Sequence, residues 1–182
     1  MVAGYGMDTN YSYKAFLYDT NSNSYGDVGP DGWFFLQTAG INDSGTIVGY
    51  GMDGNGNNSI FISTKDNKGN YTTETMNLSD WSEVYATDIN NDGTIVGWGS
   101  SNNEMMSFIY TVDGLTVLSG DGWTNFRVSG INDAGAITGW GVFNGDVTAF
   151  TATYQADDMP EAVPEPMTLV LLSLGLGALG FV

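Results

Sequence analysis

From Val2 to Tyr154, apolar, β-branched and aromatic residues come in runs of four to six, bounded by Gly, Asn, Asp and Ser. Such runs fill a pleated surface and such boundaries tolerate turn dihedrals, so the pattern predicts short β-strands joined by tight turns. In the best-defined stretch the runs are 84–89, 94–98, 107–112 and 115–118. Before residue 155 no segment carries an apolar 3.6-residue period long enough for a helix. The link between the first two runs is Asn-Asp-x-Gly, as in Asn42-Asp43-Ser44-Gly45 and Asn132-Asp133-Ala134-Gly135. Asn and Asp bond their own backbone and Gly supplies a positive φ, which predicts a bulged hairpin and antiparallel neighbours.

The pattern repeats. INDSGTIVGYG from Ile41, INNDGTIVGWG from Ile89 and INDAGAITGWG from Ile131 are copies of one another, and VAGYG from Val2 is the back half of a fourth. Tyr5, Tyr50, Trp98 and Trp140 each stand between two glycines, at intervals of 45, 48 and 42 residues. A phenylalanine follows ten or eleven residues later (Phe16, Phe61, Phe108, Phe150), and a tryptophan precedes the Asn-Asp turn (Trp33, Trp81, Trp123). The paired glycines leave one strand face nearly bare, which suits close approach of a neighbouring sheet or backbone, while the aromatic between them fills the gap between units. The expected fold is all-β: tandem four-stranded repeats over 1–154 forming a partial β-propeller, because one blade cannot bury both faces of its sheet alone. A β-sandwich or a flatter β-solenoid is the alternative. Three strands are expected in the first and last units, which lack a leading and a closing strand, so upstream repeats are expected beyond this sequence.

These repeats resemble the extracellular HAF-repeat family, whose units carry an I-N-D-x-G-x-I-V-G-Y-type stretch followed by a short H-A-F-type stretch. The resemblance spans nearly all of 2–154 and implies an extracellular repeat protein without an assigned activity. The family's histidine is replaced by Lys14, Ser59, Met106 and Thr148, two residues before each marker phenylalanine.

After Tyr154 the composition changes. Residues 155–166 form an acidic, proline-bearing linker, and 167–182 (MTLVLLSLGLGALGFV) are sixteen residues without a charge. That length falls short of the roughly 20 residues of a spanning helix, yet its terminal place after a spacer predicts a hydrophobic helix that associates with the membrane. Pro164-Glu165-Pro166 followed by an apolar segment resembles the PEP-CTERM sorting signal of Gram-negative bacteria that make exopolysaccharide. The resemblance implies an exosortase, a membrane-embedded Cys transpeptidase, as partner, removal of the tail and delivery to the cell surface. Here the segment closes at Phe181-Val182 without the Arg or Lys that usually ends such tails.

Composition narrows function by exclusion. The chain has no Cys and no His, which removes thiol nucleophiles, imidazole dyads and Cys/His zinc sites. Four basic residues (Lys14, Lys65, Lys68 and Arg127) stand against 21 acidic ones, for a net charge of −17. Such a surface repels phosphate backbones, so nucleic acid is not an expected partner. No enzymatic activity and no obligatory cofactor are expected.

Two candidate sites remain. Asp88, Asn90 and Asp92, with Gly93, match the opening of a calcium loop, but position 12 is Gly99, and Gly40 and Gly130 replace Asp88 in the sister repeats. The loops at 53–57 and 66–70 offer further oxygen ligands. Trp33, Trp81 and Trp123, each close in sequence to an acid (Asp31, Asp80, Asp121), suit sugar rings. The expected role is an exported cell-surface or matrix scaffold, the alternative a surface glycan-binding protein meeting exopolysaccharide, and a polysaccharide hydrolase ranks last.

Overall fold

The structure is a computed structural model, and it describes residues 1–76, 78, 80–118, 120 and 122–154. Fourteen strands form four antiparallel sheets of three, four, four and three strands. The first sheet holds β1 (Val2–Met7), β2 (Tyr13–Asp19) and β3 (Ser24–Asp27). The second holds β4 (Phe35–Ile41), β5 (Ile47–Met52), β6 (Asn58–Lys65) and β7 (Tyr71–Met76). The third holds β8 (Glu83–Ile89), β9 (Ile95–Ser101), β10 (Glu104–Thr111) and β11 (Gly114–Leu118), close to the four runs read from the sequence. The fourth holds β12 (Trp123–Ile131), β13 (Ala136–Phe143) and β14 (Asp146–Thr153). Each sheet is one repeat, with its strands in sequence order, and there is no helix among the described residues. The four open sheets close into neither a barrel nor a complete propeller.

The Asn-Asp-x-Gly link makes the expected hairpin. The Asn42 N–H donates to the Thr46 carbonyl at 3.1 Å and the Gly45 N–H to the Asn42 carbonyl at 3.0 Å, with Gly45 at φ +83°. The Asn42 side-chain oxygen also accepts from the Thr46 N–H at 2.9 Å, and Asn90 and Asn132 repeat that bond with Thr94 and Ala136. The first Asn of the motif therefore closes the turn with both backbone and side chain. Just before each turn, β4, β8 and β12 carry a bulge, at Ala39, Thr87 and Ser129.

The core lies between repeats rather than within them. Ala15, Leu17 and Val28 of the first sheet are buried with Leu36, Ile47 and Phe61 of the second. Val48 and Ile60 of the second are buried with Val84, Ala86, Ile95 and Phe108 of the third, and Val96, Ile109 and Leu118 of the third with Phe126, Val128 and Ile137 of the fourth. Adjacent residues on a middle strand point opposite ways, so Ile47 faces the preceding interface and Val48 the following one. Fully burying one such side chain stabilises by about 1.5–3 kcal/mol, which a lone sheet with one wet face would forfeit at half its apolar positions.

Two polar devices lock successive repeats in register. In the turns, Asn42 donates to the Asn90 carbonyl at 3.1 Å and Asn90 to the Asn132 carbonyl at 3.2 Å. Beside that ladder the Asn91 side-chain amide donates to Asp43 at 2.8 Å and to Asp133 at 2.9 Å. The middle repeat reads Asn-Asn-Asp where its sisters read Asn-Asp, and the row shows why. An amide with two donors sits between two carboxylates, where a third carboxylate would add only acceptors.

Candidate functional site

Trp33, Trp81 and Trp123 are half-buried and have their rings spent on packing. An ideal Cβ at Gly97 would lie 2.4 Å from the Phe108 ring, and one at Gly99 would lie 2.6 Å from the Trp81 indole. Gly49 and Gly51 seat Phe61 and Trp33 in the same way, and Gly139 and Gly141 seat Phe150 and Trp123. The two rings meet edge to face in every complete trio, at 6.0, 5.7 and 5.6 Å between centroids. What approaches the glycine positions is thus the repeat's own Phe and Trp together with backbone carbonyls of the paired strand, not a neighbouring sheet. Of the acids near these tryptophans, Asp31 is exposed and paired with Lys14, and Asp80 is exposed. Asp121 lies outside the described residues.

Two of the three calcium-loop residues, Asp88 and Asn90, are engaged elsewhere. The Asp88 carboxylate accepts from the Ile89 N–H at 2.9 Å and, across the interface, from the Ile131 N–H at 3.0 Å. Ideal Cβ atoms at Gly40 and Gly130 would each lie 3.2 Å from an Asp88 carboxylate oxygen, so the glycines of the two sister repeats make room for the acid of the middle one. Asn90 belongs to the turn ladder, and Asp92 lines an open depression of about 340 Å³ to which Asp88 does not contribute. No group of three or more acids suited to a metal occurs among the described residues.

The loops at 53–57 and 66–70 are turns closed by carboxylates. Asp53 accepts from the Asn57 and Asn55 N–H groups at 2.9 and 2.8 Å, and Asp66 from those of Asn70 and Lys68, both at 2.8 Å. The Asn57 backbone bond, above all, holds the Asp53 carboxyl below the ordinary 3.8, and the Asn70 side-chain amide does so for Asp66.

A different constellation crosses all four repeats. Gln37, Tyr85 and Arg127 each stand four residues after the marker Trp, directly opposite Tyr50, Trp98 and Trp140 in the strand register. Side by side they form one row: Tyr5, Gln37, Tyr50, Tyr85, Trp98, Arg127, Trp140. The Gln37 amide donates to the Tyr5 hydroxyl at 2.9 Å, and its oxygen accepts from Tyr50. Tyr50 meets Tyr85 edge to face at 5.0 Å, and Tyr85 stacks on Trp98 at 4.3 Å. The Arg127 guanidinium lies 4.1 Å over the Trp98 ring and 5.0 Å from that of Trp140. Burial raises the Tyr50 and Tyr85 hydroxyls above their ordinary 10.0, so both stay neutral donors across the physiological range.

The row borders an open cleft of about 400 Å³, in the size range of small-ligand sites. The bulge residues Ala39, Thr87 and Ser129 line it together with Thr38, and the Thr87 hydroxyl donates to the Val96 carbonyl at 3.1 Å. Arg127 is the chain's only arginine, and none of the described residues lining the cleft is acidic. Its Nη2 donates to the Met105 sulfur at 3.1 Å, and its buried Nε has no hydrogen-bond partner among the described residues. The equal offset of these residues from each Trp was present in the sequence, but only strand register shows that they face a tyrosine or tryptophan.

The sorting motif Pro164, Glu165 and Pro166, the linker 155–166 and the apolar segment 167–182 lie outside the described residues. Among the described residues no helix is long and apolar enough to cross a membrane. Comparison with family models, curated proteins and solved structures returns no match, so the HAF-repeat and PEP-CTERM resemblances rest on the residues quoted for them.

Proposed function

We propose that this chain is an exported cell-surface or extracellular-matrix repeat protein that acts as a non-enzymatic interaction scaffold. The observation that carries this reading is the placement of all three cores between successive sheets. Apolar area is consumed by stacking, and the remaining surface is strongly acidic, which keeps an aromatic-rich β array soluble outside the cell. The order of contacts, with β4, β8 and β12 each against the preceding sheet, supports an arc of propeller-like blades. Pro164-Glu165-Pro166 and the apolar residues 167–182 supply the sorting signal, with an exosortase as processing partner and the membrane as temporary anchor. The test is cell fractionation with Pro164, Glu165 and Pro166 all changed to Ala. Retention of the unprocessed chain in the membrane is expected, and unchanged processing and release would overturn the sorting proposal.

A second reading, a surface glycan-binding protein, is favoured by one observation, the acid-free cleft beside the aromatic row. In this reading Trp33, Trp81 and Trp123 serve the fold and the sugar is met by Trp98, Arg127 and Trp140. Replacing Trp81 with Ala then lowers stability without altering the sugar specificity of the folded fraction, whereas specific loss of binding would return the site to the marker tryptophans.

A further inference from the structure

We infer that the cleft beside Arg127 is a binding site for a carboxylated sugar, a uronic acid unit of a short saccharide. This rests on the glycan-binding reading above and adds the charge of the ligand. Acidic residues outnumber basic ones by 21 to 4 in the whole chain, yet the described residues that line this cleft include no acid and do include the single arginine. Among the described residues the ion pair is Lys14 with Asp31, and Arg127 has no carboxylate partner among them.

The setting of the guanidinium determines what it presents. Indole rings lie 4.1 and 5.0 Å from its central carbon, Nε is buried and Nη2 gives one N–H to the Met105 sulfur, so the N–H groups left for a ligand are those of Nη1 and the second one of Nη2. A planar carboxylate is the group that matches two parallel N–H donors, and the clamped fork loses little conformational freedom when it binds. Saccharide is favoured as the carrier by what lies around the fork. Trp140 is 39% exposed and offers ring surface to the apolar face of a sugar, while Thr38 and Ser129 line the same cleft and bring hydroxyls for its polyol edge. The net charge of −17 disfavours a long polyanion, so the ligand is a short oligosaccharide or a chain end.

The experiment titrates the full chain by tryptophan fluorescence and calorimetry with a galacturonate disaccharide, the matching neutral galactose disaccharide, and acetate. The acidic disaccharide is expected to bind at least tenfold more tightly than either of the others, since it alone engages both the fork and the ring. Arg127→Gln is expected to remove the preference for the acidic sugar, with Arg127→Lys restoring it only in part. Should Arg127→Gln fail to fold, Trp140→Ala keeps the charge and is expected to weaken the acidic disaccharide towards acetate. Equal affinity for acidic and neutral disaccharides overturns this inference and leaves the glycan reading standing. No binding of either disaccharide overturns both, and a preference that survives in Arg127→Gln places the carboxylate elsewhere and overturns the site.

Discussion

Gly6 and Gly99 occupy the same place in the repeat, after the central aromatic, and their replacement by Ala is predicted to have opposite outcomes. At Gly99 an ideal Cβ would lie 2.2 Å from the Glu83 carbonyl and 2.6 Å from the Trp81 ring, so either backbone or indole must move. Overpacking of that kind costs about 1–3 kcal/mol. Displacing Trp81 also loosens its edge-to-face contact with Phe108, at 5.7 Å, worth a further ~0.5–1.5 kcal/mol. The sum for Gly99→Ala is about 1.5–4.5 kcal/mol. At Gly6 nothing lies within 4 Å of the added methyl, and φ is not in the left-handed region. There Ala is expected within about 0.5 kcal/mol of the parent. Urea unfolding followed by tryptophan fluorescence, with far-UV dichroism as a second probe, measures both. A difference below about 0.5 kcal/mol between the two variants would refute the seating of Trp81 on Gly99.

Three further outcomes follow from the polar devices. Asn91→Asp removes the amide that donates to Asp43 and Asp133 and sets three carboxylates in a row; about 1 kcal/mol should be lost at neutral pH and partly regained on mild acidification, read from melting temperature against pH. Asp88→Asn removes one of two carboxylate acceptors and leaves either the Ile89 or the Ile131 N–H without a strong partner; about 1–3 kcal/mol should be lost, and faster exchange of the affected amide would show which. Asp8, Asp19, Asp53 and Asp66 are all held below the ordinary 3.8, chiefly by hydrogen bonds from neighbouring amides. Near that pH the unfolded chain binds more protons than the folded one. Their contribution is therefore full above 3.8 and lost as pH falls through the lowered values, which acid titration of the unfolding midpoint would reveal.

Strand identity and turn chemistry were legible because both are local. The runs ending at Ile41, Ile89 and Ile131 and the Asn-Asp-x-Gly links after them became strands and hairpins at almost the expected residues. The marker Trp, Phe and glycines were legible as a set, yet not as one stack. Contact between Gly97 and Phe108 depends on the pairing of β9 with β10, and that between Gly99 and Trp81 on the chain before β8. Strand runs alone do not fix that register. Asp88 matched the opening of a calcium loop in its local spacing alone, and its carboxylate accepts from an amide 43 residues away, which that spacing does not show. The cleft was illegible for the same reason. Gln37, Tyr85 and Arg127 are chemically unlike, so nothing in their identities announced a shared row, and only strand pairing sets them opposite Tyr50, Trp98 and Trp140 and brings Gln37 and Arg127 to one cleft.

Methyl-resolved NMR of the full chain tests the central claim most directly, since it reads whether the sheets share cores. Cross-peaks linking Val48 to Val84 and Val96 to Val128, pairs that belong to different repeats, are the predicted result. Spectra in which these four valines show contacts only to residues of their own repeat would contradict it.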